Sequence, residues 1–323
     1  MEKTKSNIDY DARKPKELNL KDWWRISKRI IKQIKTDHII IVAPGVAFFL
    51  FLAVFPAILA LVSLYGLIFD PEQVQDQLSQ LTVLLPADAG ELIIGALSKI
   101  SGQPDPQLEW EVIITLLISL WTANLGTKAL FRGINITYEE KSNRNFFQLN
   151  GLSLLFTISG ILVGIISLAF IVGFPVLIRH LDVPPFINNL ITFGRWVFLG
   201  ILIIIFIAMI YKFAPERRNA RFRWVTWGSA IATLLWLGAS WAFSFYVDNF
   251  GNFDKKYGAV ASVVILMLWF LITGFLILLG AEINSEMEYQ TKKDTTIGKN
   301  RPLGERDAFH ADHYAGQDQS GNK

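Results

Sequence analysis

The sequence predicts an all-α polytopic membrane protein with six transmembrane helices and with both termini in the cytoplasm. Three observations lead to this prediction. Hydrophobic residues make up 52% of the 323 residues and only 18% are charged, whereas soluble domains are roughly 25% charged. Six apolar runs approach or exceed the ~20 residues that cross a bilayer as a helix. Lysine and arginine are concentrated in alternate loops, which indicates the orientation of the chain.

The six apolar runs differ in length and in polarity. The first and third runs exceed the ~20 residues that a bilayer needs, so we expect tilts or kinks in both. Pro44, Pro56 and Pro175 are the expected kink positions, because proline removes a backbone donor from a helix. The second run is the least apolar, because it carries a polar face. The predicted spans cover residues 39–69, 111–131, 150–178, 187–211, 224–246 and 258–281.

The charges of the loops indicate which side of the membrane each loop occupies. Residues 1–38 carry 11 lysines and arginines, and residues 212–223 carry five. The loop at 70–111 instead carries eight acidic residues and a single lysine. Because cytoplasmic loops are enriched in lysine and arginine, both termini and the loops at 132–149 and 212–223 are predicted to be cytoplasmic.

Three segments flank or interrupt the predicted transmembrane domain at 39–285. Within residues 1–38, the stretch LNLKDWWRISKRIIKQIK separates apolar from basic residues at helical spacing. This pattern predicts a basic amphipathic helix on the surface of the inner leaflet. Two helix-cap signals predict two short helices in the outer-side insert at 70–109. The polar segment at 286–323 is predicted to be a disordered cytoplasmic tail.

The second span carries the polar residues Asn124, Thr127, Lys128 and Arg132. Helical spacing places Trp121, Asn124, Lys128, Arg132, Asn135 and Glu139 on one face, and Thr127 is added to the candidate cavity. Asn124 is predicted to lie within the hydrocarbon, where its short amide must face protein or water. Lys128 and Arg132 allow two interpretations. They are anchors that extend to the inner interface, or they form ion pairs with Glu282.

Glu282 and Asn284, near the end of the last span, complete a candidate cavity or gate. A helix that begins near Tyr257 places Glu282 about 35 Å along its axis, at the predicted depth of Arg132. A cluster of these charges is interpreted either as a structural clamp or as a gate over a polar cavity reached by Asn124.

Small residues recur along one face of the third span. Ser153, Thr157, Gly160, Gly164 and Ser167 follow one another at intervals of three or four residues. Small side chains let membrane helices approach closely. We therefore expect a helix-packing seam at Gly160 and Gly164, and a ligand groove is the alternative.

The sequence carries no signature of an enzyme or of a cofactor site. It has no cysteine, so neither a disulfide nor a thiolate metal site can form. Two of its four histidines, His310 and His313, lie in the polar tail. The P-loop, GxSxG and HExxH patterns are absent. We therefore expect no catalytic residue, no metal, no cofactor and no nucleic-acid partner, and the basic residues are explained by the topology signal and the surface helix.

Three segments resemble the YihY/BrkB family of bacterial inner-membrane proteins. The run APGVAFFLFLAVFPAILALV is similar to the first span of that family. The segment at 250–286, FGNFDKKYGAVASVVILMLWFLITGFLILLGAEINSE, is similar to its last hairpin. The loop YKFAPERRNARFRW resembles the family's Tyr-x-Phe-Ala-Pro-x-Arg motif. The residues of this chain that match the motif are Tyr211, Phe213, Ala214, Pro215 and Arg217.

The resemblance implies a six-helix protein of the bacterial inner membrane whose activity is unsettled. Members of the family were long labelled ribonuclease BN, an identification that resemblance alone does not revive. The leading hypothesis is a transporter or flippase-like permease for a lipid or another amphiphile. Its expected partners are membrane lipids and an amphiphilic or anionic small substrate. A non-transporting scaffold that forms a homo-oligomer is the alternative, and a hydrolase or nuclease is the third hypothesis.

Reporter fusions test the predicted orientation. Fusions at Asp105, Val183 and Asn252 are expected to report the outer side, because their loops lack an excess of basic residues. Fusions at Asn143 and Gly298 are expected to report the cytoplasm. A cytoplasmic signal at Asp105 would reverse the orientation of the whole chain.

Overall fold

The computed structural model describes residues 10–68, 106–173, 184–250 and 259–317, and these residues are helical with connecting turns and no β-strand. Pro175 and residues 70–105 of the predicted outer-side insert lie outside the described residues, so the two short helices predicted there are not tested.

Six helices of 23 to 32 residues dominate the described chain. They correspond one to one with the six apolar runs of the sequence. Most extend past their apolar run, because polar residues at the ends continue the helical backbone. A 3-10 turn at Pro15–Glu17 and a π-helical turn at Ala169–Gly173 flank this set. The helices are α1 (Leu20–Thr36), α2 (Ile39–Ile68), α3 (Pro106–Thr137), α4 (Phe146–Leu168), α5 (Pro185–Phe213), α6 (Phe222–Phe250), α7 (Ala259–Tyr289) and α8 (Phe309–Asp312).

Length and composition mark this chain as a multi-pass membrane protein. Within the described residues, four helices are long and apolar enough to cross a membrane, and they lie in α4, α5, α6 and α7. Helix α1 and the first part of α2 meet at an angle of 66° and give a fifth span if they are counted together. Helix α3, which carries the polar face, does not belong to this set. The sixth span and the orientation therefore stay predictions.

Helix α1 is strongly amphipathic, and its apolar face is divided between protein and surroundings. Ile26 and Ile30 are buried and belong to a cluster with Trp224 and Met287 at the ends of α6 and α7. Trp24 remains 64% exposed on the same helix. Part of the apolar face thus binds the bundle, and the rest is available to a membrane surface.

Helix α7 holds the bundle together. It packs against α1, α2, α3 and α6, while successive contacts from α2 through α6 complete a ring. The contact between α4 and α5 is the weakest link in this ring. The main core lies where Phe131, Tyr211 and Leu278 are fully or almost fully buried.

This core adjoins one end of the bundle, which we call the charged end, and includes Tyr138, Ala214 and Ala220 from it. The charged end comprises residues 10–38, 138–145, 214–221 and 282–317. Further from it, burial decreases: no described residue of α6 after Thr233 is buried. The bundle is therefore closed by side chains at the charged end and more loosely packed towards the other.

Helices α6 and α7 cross at two glycines that the sequence analysis did not single out. A Cβ atom added to Gly228 would collide with the carbonyl oxygen of Gly280 and with the side chain of Asn284. A Cβ atom added to Gly280 would collide with the hydroxyl of Tyr211. Both positions therefore need glycine for the close approach of the helices.

The two glycines predicted to form a packing seam on α4 have different surroundings. A Cβ atom at Gly160 would lie 3.3 Å from the ring of Phe206 on α5, which is a tight contact. A Cβ atom at Gly164 would have no described neighbour within 4 Å. Only Gly160 is thus placed against another helix among the described residues.

Replacing Gly228 with alanine should destabilise the bundle, because the added methyl group forces α6 and α7 apart. Overpacking of this kind costs about 1–3 kcal/mol. We expect Gly228→Ala to lower the thermal unfolding temperature in detergent by several degrees. Gly164→Ala is the matched control, since its methyl group meets open space, and its unfolding temperature should stay within about one degree of the wild type. Equal effects of the two substitutions would contradict the close crossing.

Candidate functional site

A layer of polar side chains joins α3 to α4. Lys128 donates a hydrogen bond from Nζ to Oδ1 of Asn150 at 2.9 Å, and Asn124 donates to the same oxygen at 3.4 Å. The hydroxyls of Thr127 and Thr157 are 2.8 Å apart. Three of the predicted cavity residues therefore have partners on α4, and Asn124 and Lys128 share Asn150. Spacing on α3 placed Asn124 and Lys128 on one face, but α4 supplies the polar groups that complete the layer.

Lys128 has neutral partners only. Besides Asn150, its ammonium group lies 4.8 Å from the centroid of the Trp121 ring. In the described part of the chain, no carboxylate lies within 4.0 Å of this lysine. Trp121 is 48% exposed, whereas Asn124 is fully buried and its Oδ1 atom has no partner. The lysine is thus uncompensated and borders an exposed surface.

Arg132, one turn further along α3, is exposed. The described residues give it neither a hydrogen bond nor an ion pair. These surroundings agree with its interpretation as an interfacial anchor, since a long arginine side chain can extend its charged group towards water.

Glu282 does not form the predicted ion pair with Lys128 or Arg132. No described cation lies within 4.0 Å of its carboxylate, its side chain is buried, and its Oε2 atom has no hydrogen-bond partner. The charged groups that act on it most strongly are the carboxylates of Asp37 and Glu286. The prediction was wrong because α3 directs Lys128 towards α4, whereas Glu282 faces the junction of α1 and α2.

The surroundings of Glu282 are rich in acidic groups. Burial, together with the carboxylates of Glu139 and Glu286, raises the pKa of Asp37 to about 6. Arg29 of α1 forms an ion pair with the Glu286 side chain and donates to the Glu286 backbone oxygen at 3.1 Å. Arg29 thus neutralises the charge of Glu286, whereas Glu282 has no described cation beside it.

Asn284, the other predicted gate residue on α7, contacts α6. Its Oδ1 atom accepts a hydrogen bond from the backbone of Gly228 at 2.8 Å, and its Nδ2 atom donates to the carbonyl of Val225 at 3.2 Å. The side chain is fully buried. These contacts give Asn284 a role in joining two helices.

A fully buried ion pair links the loop between α5 and α6 to the end of α7. Arg217 donates to Glu288 at 2.6 Å, and the two side chains are 1% and 0% exposed. The hydroxyl of Thr295 donates to the same carboxylate oxygen at 2.6 Å, and the Arg217 guanidinium lies 4.9 Å from the Tyr138 ring. Burial alone lowers the pKa of Arg217, but the Glu288 carboxylate and Tyr138 raise it overall.

The other residues of the Tyr-x-Phe-Ala-Pro-x-Arg loop also hold the charged end together. The hydroxyl of Tyr211 donates to the carbonyl of Ile277 on α7 at 2.6 Å. Arg144 donates to the backbone carbonyls of Phe213, Ala214 and Pro215, at distances of 3.0, 2.7 and 3.2 Å. The motif therefore fastens its loop to α7 and to the loop after α3.

The predicted disorder of the tail at 286–323 was wrong for residues 286–317. Helix α7 continues to Tyr289, and the following residues fold across the charged end. Thr291 donates to the carbonyl of Ala12 at 2.7 Å, and Gln290 donates to Asp22 at 3.0 Å. The polar composition of the tail suggested disorder, but these groups find charged and carbonyl partners on the N-terminal segment.

His310 fixes the distal part of this tail. Its Nδ1 atom lies 3.1 Å from the carbonyl oxygen of Tyr138. Burial and the nearby Arg217 lower the pKa of His310 to about 3. The imidazole is therefore neutral at physiological pH and donates its Nδ1 proton to that carbonyl.

Comparison with known proteins identifies the family. Residues 30–304 match the family described as Virulence factor BrkB. The chain belongs to the Virulence factor BrkB family. This result confirms the resemblance seen in the sequence, and the matched region includes the folded tail as far as residue 304.

Relatives within this BrkB family carry membrane-protein and ribonuclease-like names. The ribonuclease-like protein YfkH of Bacillus subtilis (strain 168) is 27% identical over 254 residues, covering 76% of this chain and 89% of the relative. A UPF0761 membrane protein of Idiomarina loihiensis is 28% identical over 33% of this chain and 38% of its own length. One of Xanthomonas campestris is 35% identical over 25% of this chain and 19% of its own. No solved structure matches this chain.

The geometry of this BrkB-family protein offers no metal cluster in the part of the chain that the structure describes. No group of three or more histidine, aspartate or glutamate side chains is placed there to hold a metal ion. The expected absence of a catalytic residue and of a cofactor stays a prediction.

Replacing Glu282 with glutamine should maintain or raise stability, because the substitution removes an acid that has no described cation partner. Glu288→Gln is the matched comparison on the same helix. Breaking a buried ion pair costs about 3–5 kcal/mol, so this variant should unfold at a much lower temperature. Thermal unfolding of the two purified variants in the same detergent measures the difference. A similar loss for Glu282→Gln would show that Glu282 has a cationic partner after all.

Proposed function

We propose that this membrane protein is a permease that binds the anionic group of a lipid or another amphiphile at Lys128. The observation that carries the proposal is a lysine within the predicted membrane region whose described partners are all neutral. A cation costs roughly 2.5–3.5 kcal/mol at the membrane centre on insertion scales, and less as it approaches the interface. An anionic ligand would supply the missing counter-charge, and Asn124 and Asn150 would supply hydrogen-bonding groups beside it.

The surroundings of α4 support an amphiphilic ligand. A groove of 530 Å³ lies between α4 and α5, at the weakest junction of the ring. Its lining is almost entirely apolar and includes Leu155, Phe156 and Phe206. The opposite face of α4 carries Asn150 and Thr157 of the polar layer. One helix therefore borders both kinds of surface that an amphiphile requires.

The distribution of buried residues supports movement of a ligand through the bundle. Side chains close the charged end, whereas the opposite halves of α6 and α7 hold few buried residues in the described ranges. A permease that exposes its site to one side at a time would be closed at one end in each state. The charged end is the end that the sequence predicts to be cytoplasmic.

Another surface of α4 favours a second candidate function, an oligomeric scaffold. Gly164 presents a small surface with no described neighbour within 4 Å on this helix. Such a surface suits the close approach of a helix from another copy. In that case Lys128 would have a structural role alone.

Transport of a labelled anionic lipid tests the permease proposal. The protein is reconstituted into liposomes that contain phosphatidylglycerol with a fluorescent headgroup-side label, and dithionite added outside quenches the accessible label. Protein should increase the rate at which inner-leaflet label becomes accessible. Lys128→Met should slow this rate about ten-fold or more, because hydrogen bonds to charged groups contribute about 1.5–3 kcal/mol. Lys128→Arg should retain most of the rate.

Lys141→Met is the matched control, since Lys141 is exposed in the loop after α3 and outside the polar layer. Its rate should equal that of the wild type. Equal transport rates for Lys128→Met and the control would show that Lys128 does not take part in transport. A wild-type rate no higher than that of empty liposomes, together with a stable oligomer, would favour the scaffold.

A further inference from the structure

A polar cavity lies at the charged end, separate from the layer at Lys128. Its volume is 710 Å³, and it is enclosed by residues 13–17, the start of α6 and residues 292–306. Eight of its eleven lining residues are lysine or arginine, and two, Glu17 and Asp294, are acidic. The lining therefore has a formal charge of +6, obtained by subtracting the two acids from the eight bases.

Five of these eight cations have no described carboxylate within 4.0 Å, whereas Lys292 and Lys293 pair with Asp11 and Arg301 pairs with Asp307. The two acidic residues of the lining are engaged by other groups. Glu17 accepts a hydrogen bond from the backbone of Arg13 at 2.6 Å. Asp294 accepts hydrogen bonds from the backbone and hydroxyl of Thr296 and from the backbone of Arg301, at 2.9, 2.7 and 2.8 Å. Neither acid forms an ion pair within 4.0 Å with a cation of the cavity lining among the described residues.

Three arginines of the cavity have only neutral partners or an unused donor. Arg221 donates to the carbonyl of Thr296 at 2.8 Å and to Asn300 at 2.7 Å. Arg306 is 5% exposed and donates to backbone carbonyls alone. The Nε atom of Arg223 is buried and has no partner. Burial lowers the pKa of Arg306, although the carboxylates of Asp294 and Asp312 act in the opposite direction.

The start of α6 adds to the positive potential of the cavity. Arg221 precedes the first residue of this 29-residue helix, Arg223 lies within its first turn, and the first turn has no acidic residue. The amino end of a helix carries a partial positive charge from its aligned peptide dipoles. The helix end and the arginines therefore attract an anion to the same place.

The residue types and the volume together indicate the kind of anion. Arginine guanidinium groups bind phosphate oxygens in pairs, and five of the eight cations are arginines. The volume lies within the range of roughly 300–1,000 Å³ that small-molecule sites occupy. We propose that this cavity binds a polyvalent phosphate group, carried either by a soluble polyphosphate or by the headgroup of an anionic lipid.

Binding would join parts of the chain that are distant in sequence. Arg13 and Lys14 come from the N-terminal segment, Arg221 and Arg223 from the start of α6, and Arg306 from the tail. A phosphate group between them reduces the repulsion among the cations and clamps the tail to the bundle. The site is independent of the permease proposal, because its residues lie outside the layer at Lys128.

Binding measurements on the purified full-length protein test the proposal with two probes. Sodium tripolyphosphate is the soluble probe, and cardiolipin in mixed detergent micelles is the lipid probe. Calorimetry and thermal unfolding at constant ionic strength should show saturable binding of at least one probe and an increase of several degrees in the unfolding temperature. Binding of tripolyphosphate alone identifies a soluble ligand, and binding of cardiolipin alone identifies a lipid headgroup.

The double variant Arg13→Gln/Lys14→Gln should weaken binding about ten-fold or more. Both side chains are exposed at the cavity mouth, and they form no ion pair within 4.0 Å among the described residues, so the fold should persist. The control Lys21→Gln/Lys32→Gln removes the same charge from the exposed face of α1. Equal weakening by both variants, or the absence of saturable binding of both probes, would overturn the proposal.

Discussion

The buried ion pair between Arg217 and Glu288 is the interaction on which the charged end depends. Its side chains are almost fully buried, and one nitrogen of Arg217 and one oxygen of Glu288 have no hydrogen-bond partner. A pair of this kind adds little net stability by itself, because removing two charges from water is costly. The pair matters because it is stable only when the surrounding segments exclude water from it. Tyr138, Thr295 and the end of α7 must all be in place to keep water away from it.

Three other charged regions of the described chain are not fully compensated. Lys128 has no described anion beside it, Glu282 has no described cation beside it, and the cavity at residues 13–17 and 292–306 holds a strong excess of bases. Pairing these groups would lower the electrostatic energy of the isolated chain. Their separation leaves two cationic regions that anions from outside can complement, one beside the exposed ring of Trp121 and one at the charged end.

The sequence was sufficient to predict the helices and insufficient to predict how they face one another. Apolar length located all six long helices, and amphipathic spacing located α1. Spacing on α3 placed Asn124 and Lys128 on one face, but it carried no information on which helix that face would contact. Glu282 was therefore predicted as the partner of Lys128, whereas the structure shows Asn150 in that place. The helix crossing at Gly228 and Gly280 involves one glycine from each of two helices. Neither glycine belongs to a GxxxG motif, so the crossing had no such local signal in the sequence. The polar composition of the tail likewise led to a wrong prediction of disorder, because the partners that order its polar groups lie far away in the sequence.

The folded tail has a consequence for the synthesis of the protein. Thr291 bonds to Tyr10 and Ala12, partners more than 270 positions earlier in the chain. The ribosome adds this tail after helices α1 to α7, because it follows them in the sequence. Until then Asp22 lacks its partner Gln290, and Glu288 lacks the hydroxyl of Thr295. The charged end can therefore reach its final form only after the tail has been translated, and a chain that stops after α7 would expose these incompletely paired groups to quality-control proteases.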